Sequence, residues 1–125
     1  MTEEFITLET AKLLKEKGFK EDVFTFYEAE CVEGDLELFE SYEVENFNTR
    51  PDRFSAPPQS IAQKWLREIK GLHIEISYLY GDYWYYDILT IPNHDLVGLS
   101  DRPLVHYKSY EEAMEAGILE ALKLI

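Results

Sequence analysis

Apolar residues recur at helical spacing in three stretches of the chain, and the two intervals between those stretches alternate at strand spacing. The first helix is capped by Thr7, carries Leu8, Ala11 and Leu14 on one face, and ends at Gly18 in the left-handed conformation. Phe19 then stands where a Schellman motif packs its residue back onto Leu14. The second helix starts around Pro57-Pro58, bears the stripe Ile61, Ala62, Trp65, Leu66 and Ile69, and ends at Gly71-Leu72 as the first ended at Gly18-Phe19. The last helix follows a capping box, Ser109-x-x-Glu112. Behind it Tyr110, Ala113, Met114, Gly117, Ile118, Ala121, Leu122 and Ile125 keep a period near 3.6.

Strand patterns fill the intervals. Val23 to Tyr27 is β-branched and aromatic. Leu36 to Val44 places Leu36, Leu38, Tyr42 and Val44 on one side and Glu37, Ser41 and Glu43 on the other, with Phe39 and Glu40 each breaking the alternation once. Glu33-Gly34-Asp35 reads as the turn between them. The second hairpin joins His73–Tyr80 to Tyr83–Ile91 through Gly81-Asp82, a two-residue turn. That turn predicts Tyr80 opposite Tyr83, Tyr78 opposite Tyr85, Ile76 opposite Asp87 and Ile74 opposite Leu89. On the other face it pairs Leu79 with Trp84, Ser77 with Tyr86, Glu75 with Ile88 and His73 with Thr90. Residues 45–57 and 92–103 read as long loops, the second followed by a short apolar piece at Leu104-Val105. The order is α-ββ-α-ββ-α. It predicts a single α+β domain over 1–125, with two antiparallel hairpins forming a sheet and three amphipathic helices mainly on one face. KLLKEKGF (12–19) echoes KWLREIKGL (64–72), which shared helix-ending chemistry or a duplication explains equally.

Composition narrows the function classes. The chain has 125 residues, 46% hydrophobic and 30% charged, a globular mixture. Twenty-five acidic against twelve basic residues leave a net charge of −13. That balance speaks against direct nucleic-acid binding, which needs a basic footprint, and against docking on an anionic membrane. No apolar run is long enough to span a bilayer, the N-terminus lacks a signal-peptide pattern, and the single cysteine, Cys31, forms no internal disulfide. A cytoplasmic setting is the expectation. The charge is also uneven: Glu21 to Glu45 holds ten acidic residues and no Lys or Arg. Outward glutamates protect a sheet edge from aggregation, and they also steer a basic partner.

Enzymatic signatures are few. The chain has no phosphate-cradling glycine loop, nucleophile elbow, HExxH or CxxC. Glu28, Glu30 and Glu33 beside Cys31 disfavour its thiolate. His73, His94 and His106, with Asp95 and Asp101, would suit zinc or iron only if they converged, and their spacing matches no known ligand pattern. No metal and no cofactor is therefore expected. Asp87 stands out because the predicted register sets it among Ile74, Ile76, Tyr78, Tyr85 and Leu89, where it either bonds a tyrosine hydroxyl or serves a ligand. Tyr78, Tyr80, Tyr83, Trp84, Tyr85 and Tyr86 put six aromatic rings into nine residues. One layer of helices covers one sheet face, so some of these rings are expected to face water. Such rings stabilise a hairpin by cross-strand contact or form a surface for a partner.

Three segments, TLETAKLLKEKGF, SAPPQSIAQKWLREIKGLHIEI and SYEEAMEAGILEALKLI, resemble small proteins carried by phages and prophages of gut bacteria. The resemblance runs nearly the whole length and rests mainly on Ala56-Pro57 and Lys64-Trp65-Leu66-Arg67. It implies a mobile-element accessory protein and brings no assigned activity, cofactor or site residue. The expectation is a non-enzymatic interaction protein. Its contact residues would be Tyr78, Tyr80, Tyr83, Trp84, Tyr85 and Asp87, with Glu37, Glu40 and Glu43 of the acidic hairpin. The partner would be a protein, a basic one by the charge, or a second copy in a homodimer. The alternative is a binder of a sugar or base, or an enzyme, with a pocket lined by the tyrosines and Asp87.

Overall fold

A computed structural model describes residues 4–28, 38–97 and 106–125, and the fold is α+β in the expected order. The elements are α1 (Leu8–Glu16), β1 (Val23–Glu28), β2 (Leu38–Glu45), a 3-10 turn (Phe47–Thr49), β3 (Arg53–Ser55), α2 (Gln59–Ile69), β4 (Leu72–Leu79), β5 (Tyr83–Thr90) and α3 (Tyr110–Lys123). The strands form two antiparallel sheets, one ordered β2-β1-β3 and one made of β4 and β5, so the two predicted hairpins lie in separate sheets. The chain divides into two compact units, Met1–Ser60 and Ile61–Ile125. The turn Glu33-Gly34-Asp35, Leu36, Cys31, Asp101 and Leu104-Val105 lie outside the described residues.

In the first unit the local signals of α1 hold as read. The Thr7 hydroxyl accepts the Thr10 N–H at 3.4 Å. Gly18, at φ +97°, donates to the Lys15 carbonyl, and Phe19 donates to the Leu14 carbonyl, the two bonds of a Schellman motif. Leu14 and Phe19 are both buried. Phe26 is the hub of the sheet. Its ring lies 4.3 Å from Phe47 and 5.6 Å from Phe39, and the Arg53 guanidinium sits 4.6 Å over it. A partly desolvated cation over a ring is worth about 1 kcal/mol. Arg53 also faces Glu28 across the β1–β3 ladder, Nε to Oε1 3.5 Å.

Residues 45–57 are not the irregular loop the Asn, Pro and Asp content predicts. They hold the 3-10 turn and β3. The Asn48 side chain locks them, donating to the Phe19 carbonyl at 2.9 Å and accepting the Ser55 N–H at 2.8 Å. A three-residue strand is too short to show a period. In β2 the predicted apolar side is likewise not packed. Leu38, Tyr42 and Val44 are exposed, and so is Phe39, although one side of its ring meets Phe26. The cause is an irregularity in the ladder. Glu40 pairs with Thr25 and Glu45 with Val23, leaving four β2 residues against Phe24 alone, and a strand interrupted this way loses its alternation.

In the second unit Gly71, at φ +68°, follows α2, and the Gln63 amide donates to the Ile74 carbonyl at 3.0 Å. The stripe of α2 is narrower than predicted: Ala62, Trp65 and Leu66 are buried, while Ile61 and Ile69 are exposed. The box before α3 forms in altered shape. Ser109 accepts the Glu112 N–H at 3.1 Å, but the Glu112 carboxylate reaches back to the N–H of Lys108, one residue before the cap. Ala113, Met114, Gly117, Ile118, Ala121 and Leu122 are buried as their period predicts, and α3 packs on both strands of the second sheet.

The hairpin register differs from the prediction by one residue. The turn has three residues, Tyr80 to Asp82, with Gly81 at φ +104° and Asp82 at +61°. Leu79 therefore pairs with Tyr83, Tyr78 with Trp84, Ser77 with Tyr85, Ile76 with Tyr86, Glu75 with Asp87, Ile74 with Ile88 and His73 with Leu89. One residue of slip carries every β5 side chain to the opposite face relative to β4. Ile74, Tyr86 and Ile88 now share a buried face beneath α3. Gly117 sets how close that helix lies, because a Cβ there would fall 2.7 Å from Ile74 Cγ2 and 3.2 Å from the Tyr86 ring. Alanine gains about 1 kcal/mol over glycine in a helix interior, but overpacking costs about 1–3 kcal/mol. Gly117→Ala is therefore expected to lower the melting temperature by several degrees, whereas an unchanged or higher value in a thermal melt contradicts this packing.

Candidate functional site

The densest concentration of water-facing rings among the expected contact residues is the tip of the β4–β5 hairpin. Tyr80, in the turn, is fully exposed, and Tyr78 is 57% exposed. The corrected register puts Tyr78 beside Trp84 on the α3 face, rings 4.8 Å apart and tilted at 50°. Trp84 in turn meets Tyr110, the first residue of α3, edge-on at 5.7 Å; Tyr110 is 42% exposed. Three rings thus run from the turn to the start of α3. The backbone of Trp84 is pinned from its outer side by paired bonds with Tyr107, at 2.9 and 3.1 Å, so the middle ring is held by two flanking segments.

Tyr78 closes the turn. Its hydroxyl donates to Asp82 Oδ1 at 2.8 Å, and this bond, with a little desolvation and the carboxylate's charge, raises the phenol's pKa above its ordinary value of 10.0. Tyr78, Leu79, Tyr80, Gly81 and Asp82 line an open depression of about 510 Å³. All five are consecutive, the last two residues of β4 and the three of the turn. The depression is therefore a surface feature of the hairpin and not a cleft between elements.

The other expected residues are placed differently. Tyr83 and Tyr85 are half-buried on the face away from Tyr78. Tyr83 stacks on His106 at 3.8 Å, and the Tyr85 ring lies 6.3 Å from that of Tyr86. Asp87 is not among the isoleucines. It faces Glu75 across the ladder, on the side that also holds His73, because the third turn residue moves it there. The apolar surroundings that singled it out surround Tyr86 instead, which is only 3% exposed. Glu40 and Glu43 are exposed on β2. They belong to the first unit and the aromatic hairpin to the second. Glu37 lies outside the described residues.

His73 contacts Glu75 at 3.0 Å and His106 stacks on Tyr83, while His94 lies in the segment after β5 at φ +62°. Among the described residues no three His, Cys, Asp or Glu side chains gather as a metal site, and no helix is long and apolar enough to cross a membrane. Sequence reasoning missed Tyr110, which it assigned only to the helix stripe; its place one residue after the Ser109 cap was the available signal, since first-turn residues project beyond a helix's packed face. No family model, curated protein or solved structure matches the chain.

The Tyr78–Asp82 bond has a defined pH window. A group whose pKa is raised in the folded chain contributes its stabilisation below the unfolded value and loses it as pH climbs through the folded one. The turn is thus expected to keep this contact through neutral pH and to lose it in alkali. Followed by NMR of the Tyr78 ring, ionisation should come at higher pH in the wild type than in Asp82→Gly, which retains the positive φ. Identical titrations contradict the bond.

Proposed function

We propose that this chain is a non-enzymatic protein-interaction protein, an accessory factor of a phage or other mobile element. It works in the host cytoplasm by binding another protein through the tip of the β4–β5 hairpin. One observation carries the reading: Tyr80 and Tyr78 stand in water at a hairpin tip, and the neighbouring Trp84 and Tyr110 rings pack on one another. Rigid Tyr and Trp rings offer large contact area at low entropic cost and are enriched among residues that dominate interface energy. The acidic residues Glu40 and Glu43 on β2, and Glu37 beside them in sequence, add a negative potential that speeds encounter with a basic partner.

The ligand-pocket alternative has less support. A sugar or base site needs polar groups converging from several elements, whereas those at this depression come from one hairpin tip, where Tyr78 already bonds Asp82. The phage origin is supported by the resemblance of the three segments quoted above.

The test compares the wild type with the double variant Tyr78→Ala/Tyr80→Ala. Proteins retained from a gut-bacterial host lysate are identified, purified and titrated against both. Losing two such anchors is expected to weaken binding at least about tenfold, or 1.4 kcal/mol. Glu40→Lys/Glu43→Lys is expected to slow association and leave dissociation nearly unchanged. A host protein bound equally by the wild type and the tyrosine double variant contradicts the proposal, as does a lysate yielding nothing that distinguishes them.

A further inference from the structure

The three-ring run Tyr78–Trp84–Tyr110 has a chemistry of its own. Its rings are neither parallel nor coplanar: 50° separates the first pair and 85° the second. Successive tilted rings make a ridged surface, unlike the flat platform on which a sugar or base stacks. Among the described residues, no acceptor within the chain meets the Trp84 indole N–H or the Tyr80 and Tyr110 hydroxyls. The run therefore offers an indole N–H that only donates and two hydroxyls that donate or accept. Its nearby charged group is Asp82, where Oδ1 takes the Tyr78 hydroxyl and the second carboxylate oxygen remains for a cation.

The complementary ligand has ring-shaped apolar groups, unsatisfied acceptors for the indole N–H, and a positive charge. A proline-rich segment in the polyproline II conformation meets each requirement. It lacks internal hydrogen bonds, so its carbonyls point outward unpaired, and each proline lacks an N–H. Its pyrrolidine rings project as ridges, and its conformation is set before binding, so little ordering entropy is lost. A second copy of this chain fits worse, because it brings the same net charge of −13.

We infer that the Tyr78–Trp84–Tyr110 run docks a proline-rich segment of a partner protein carrying arginine or lysine at the Asp82 end. This rests on the protein-binding reading above and names the kind of segment recognised.

Titration of the full chain by NMR tests it, using a decaproline peptide flanked by arginines. The Trp84 indole resonance reports on the site, and that of buried Trp65 serves as reference. Saturable movement of Trp84 below about 1 mM, with Trp65 still, is the expected result. Glutamate-flanked decaproline should bind at least about fivefold more weakly, and Asp82→Asn, which tolerates the positive φ, should erase that preference. Tyr110→Ala should weaken binding about tenfold. The inference is overturned if Trp84 does not move, or if a peptide with alanine in place of proline moves it equally. It is overturned too if Tyr110→Ala binds like the wild type. Any of these results leaves the protein-binding reading to its own test, since a host protein can still depend on Tyr78 and Tyr80.

Discussion

Three residues in one turn decide what the second unit buries and what it shows. With Tyr80, Gly81 and Asp82 all outside the ladder, Leu79 meets Tyr83 and the pairing runs unbroken to Leu72 and Thr90. Ile74, Tyr86 and Ile88 then fall on one face, where α3 covers them, each buried side chain contributing about 1.5–3 kcal/mol. The same pairing brings Tyr78 next to Trp84 at the open end of that face, beyond the part that α3 buries. Glu75, Asp87 and His73 take the opposite face. Core and exposed rings are thus two consequences of a single register, and a slip of one residue would exchange Tyr86 for Tyr85 beneath the helix.

The first unit is organised around a different constraint. Phe26 must be covered from a sheet only three strands wide, and it is covered by side chains of unlike character: Phe39 from the neighbouring strand, Phe47 from the 3-10 turn and the Arg53 guanidinium. Lys15 performs a similar service. Its ammonium lies 4.8 Å over Phe54 and donates to the carbonyls of Arg50 and Arg53, tying α1 to the turn that supplies Phe47. Desolvation there lowers its pKa, while the charge of Asp52 opposes the shift. Three of the unit's cations, Lys12, Lys15 and Arg53, thus lie over its own aromatic rings, and of the β2 acids Glu45 faces Arg50 and Arg53 while Glu40 and Glu43 stay exposed.

What could be read from the sequence follows the range of the physics involved. The Thr7 cap, the Gly18-Phe19 ending and the Ser109–Glu112 cap depend on groups three to five residues apart, and each formed where the local pattern put it. The α+β class and element order follow from patterns over five or more residues. Register does not. Gly81 and Asp82 marked the turn correctly, and both adopt positive φ, but the pairing depends on whether Tyr80 belongs to the strand or to the turn. No propensity of a tyrosine decides that. β3 was hidden for a related reason: Arg53–Ser55 exists because β1 offers it an edge, a long-range cause with no local trace. At the candidate site the exposed tyrosines were legible from ring density alone, whereas Asp87 was misplaced by the register and Tyr110 joined the site through the fold.

Cross-strand backbone NOEs along the β4–β5 hairpin test this account most directly, because register assigns every ring to its face. Contacts joining Glu75 to Asp87, Ser77 to Tyr85 and Leu79 to Tyr83 are the predicted result. Contacts joining Ile76 to Asp87 and Tyr78 to Tyr85 would mean a two-residue turn, would take Tyr86 from beneath α3, and would contradict the arrangement on which the aromatic surface depends.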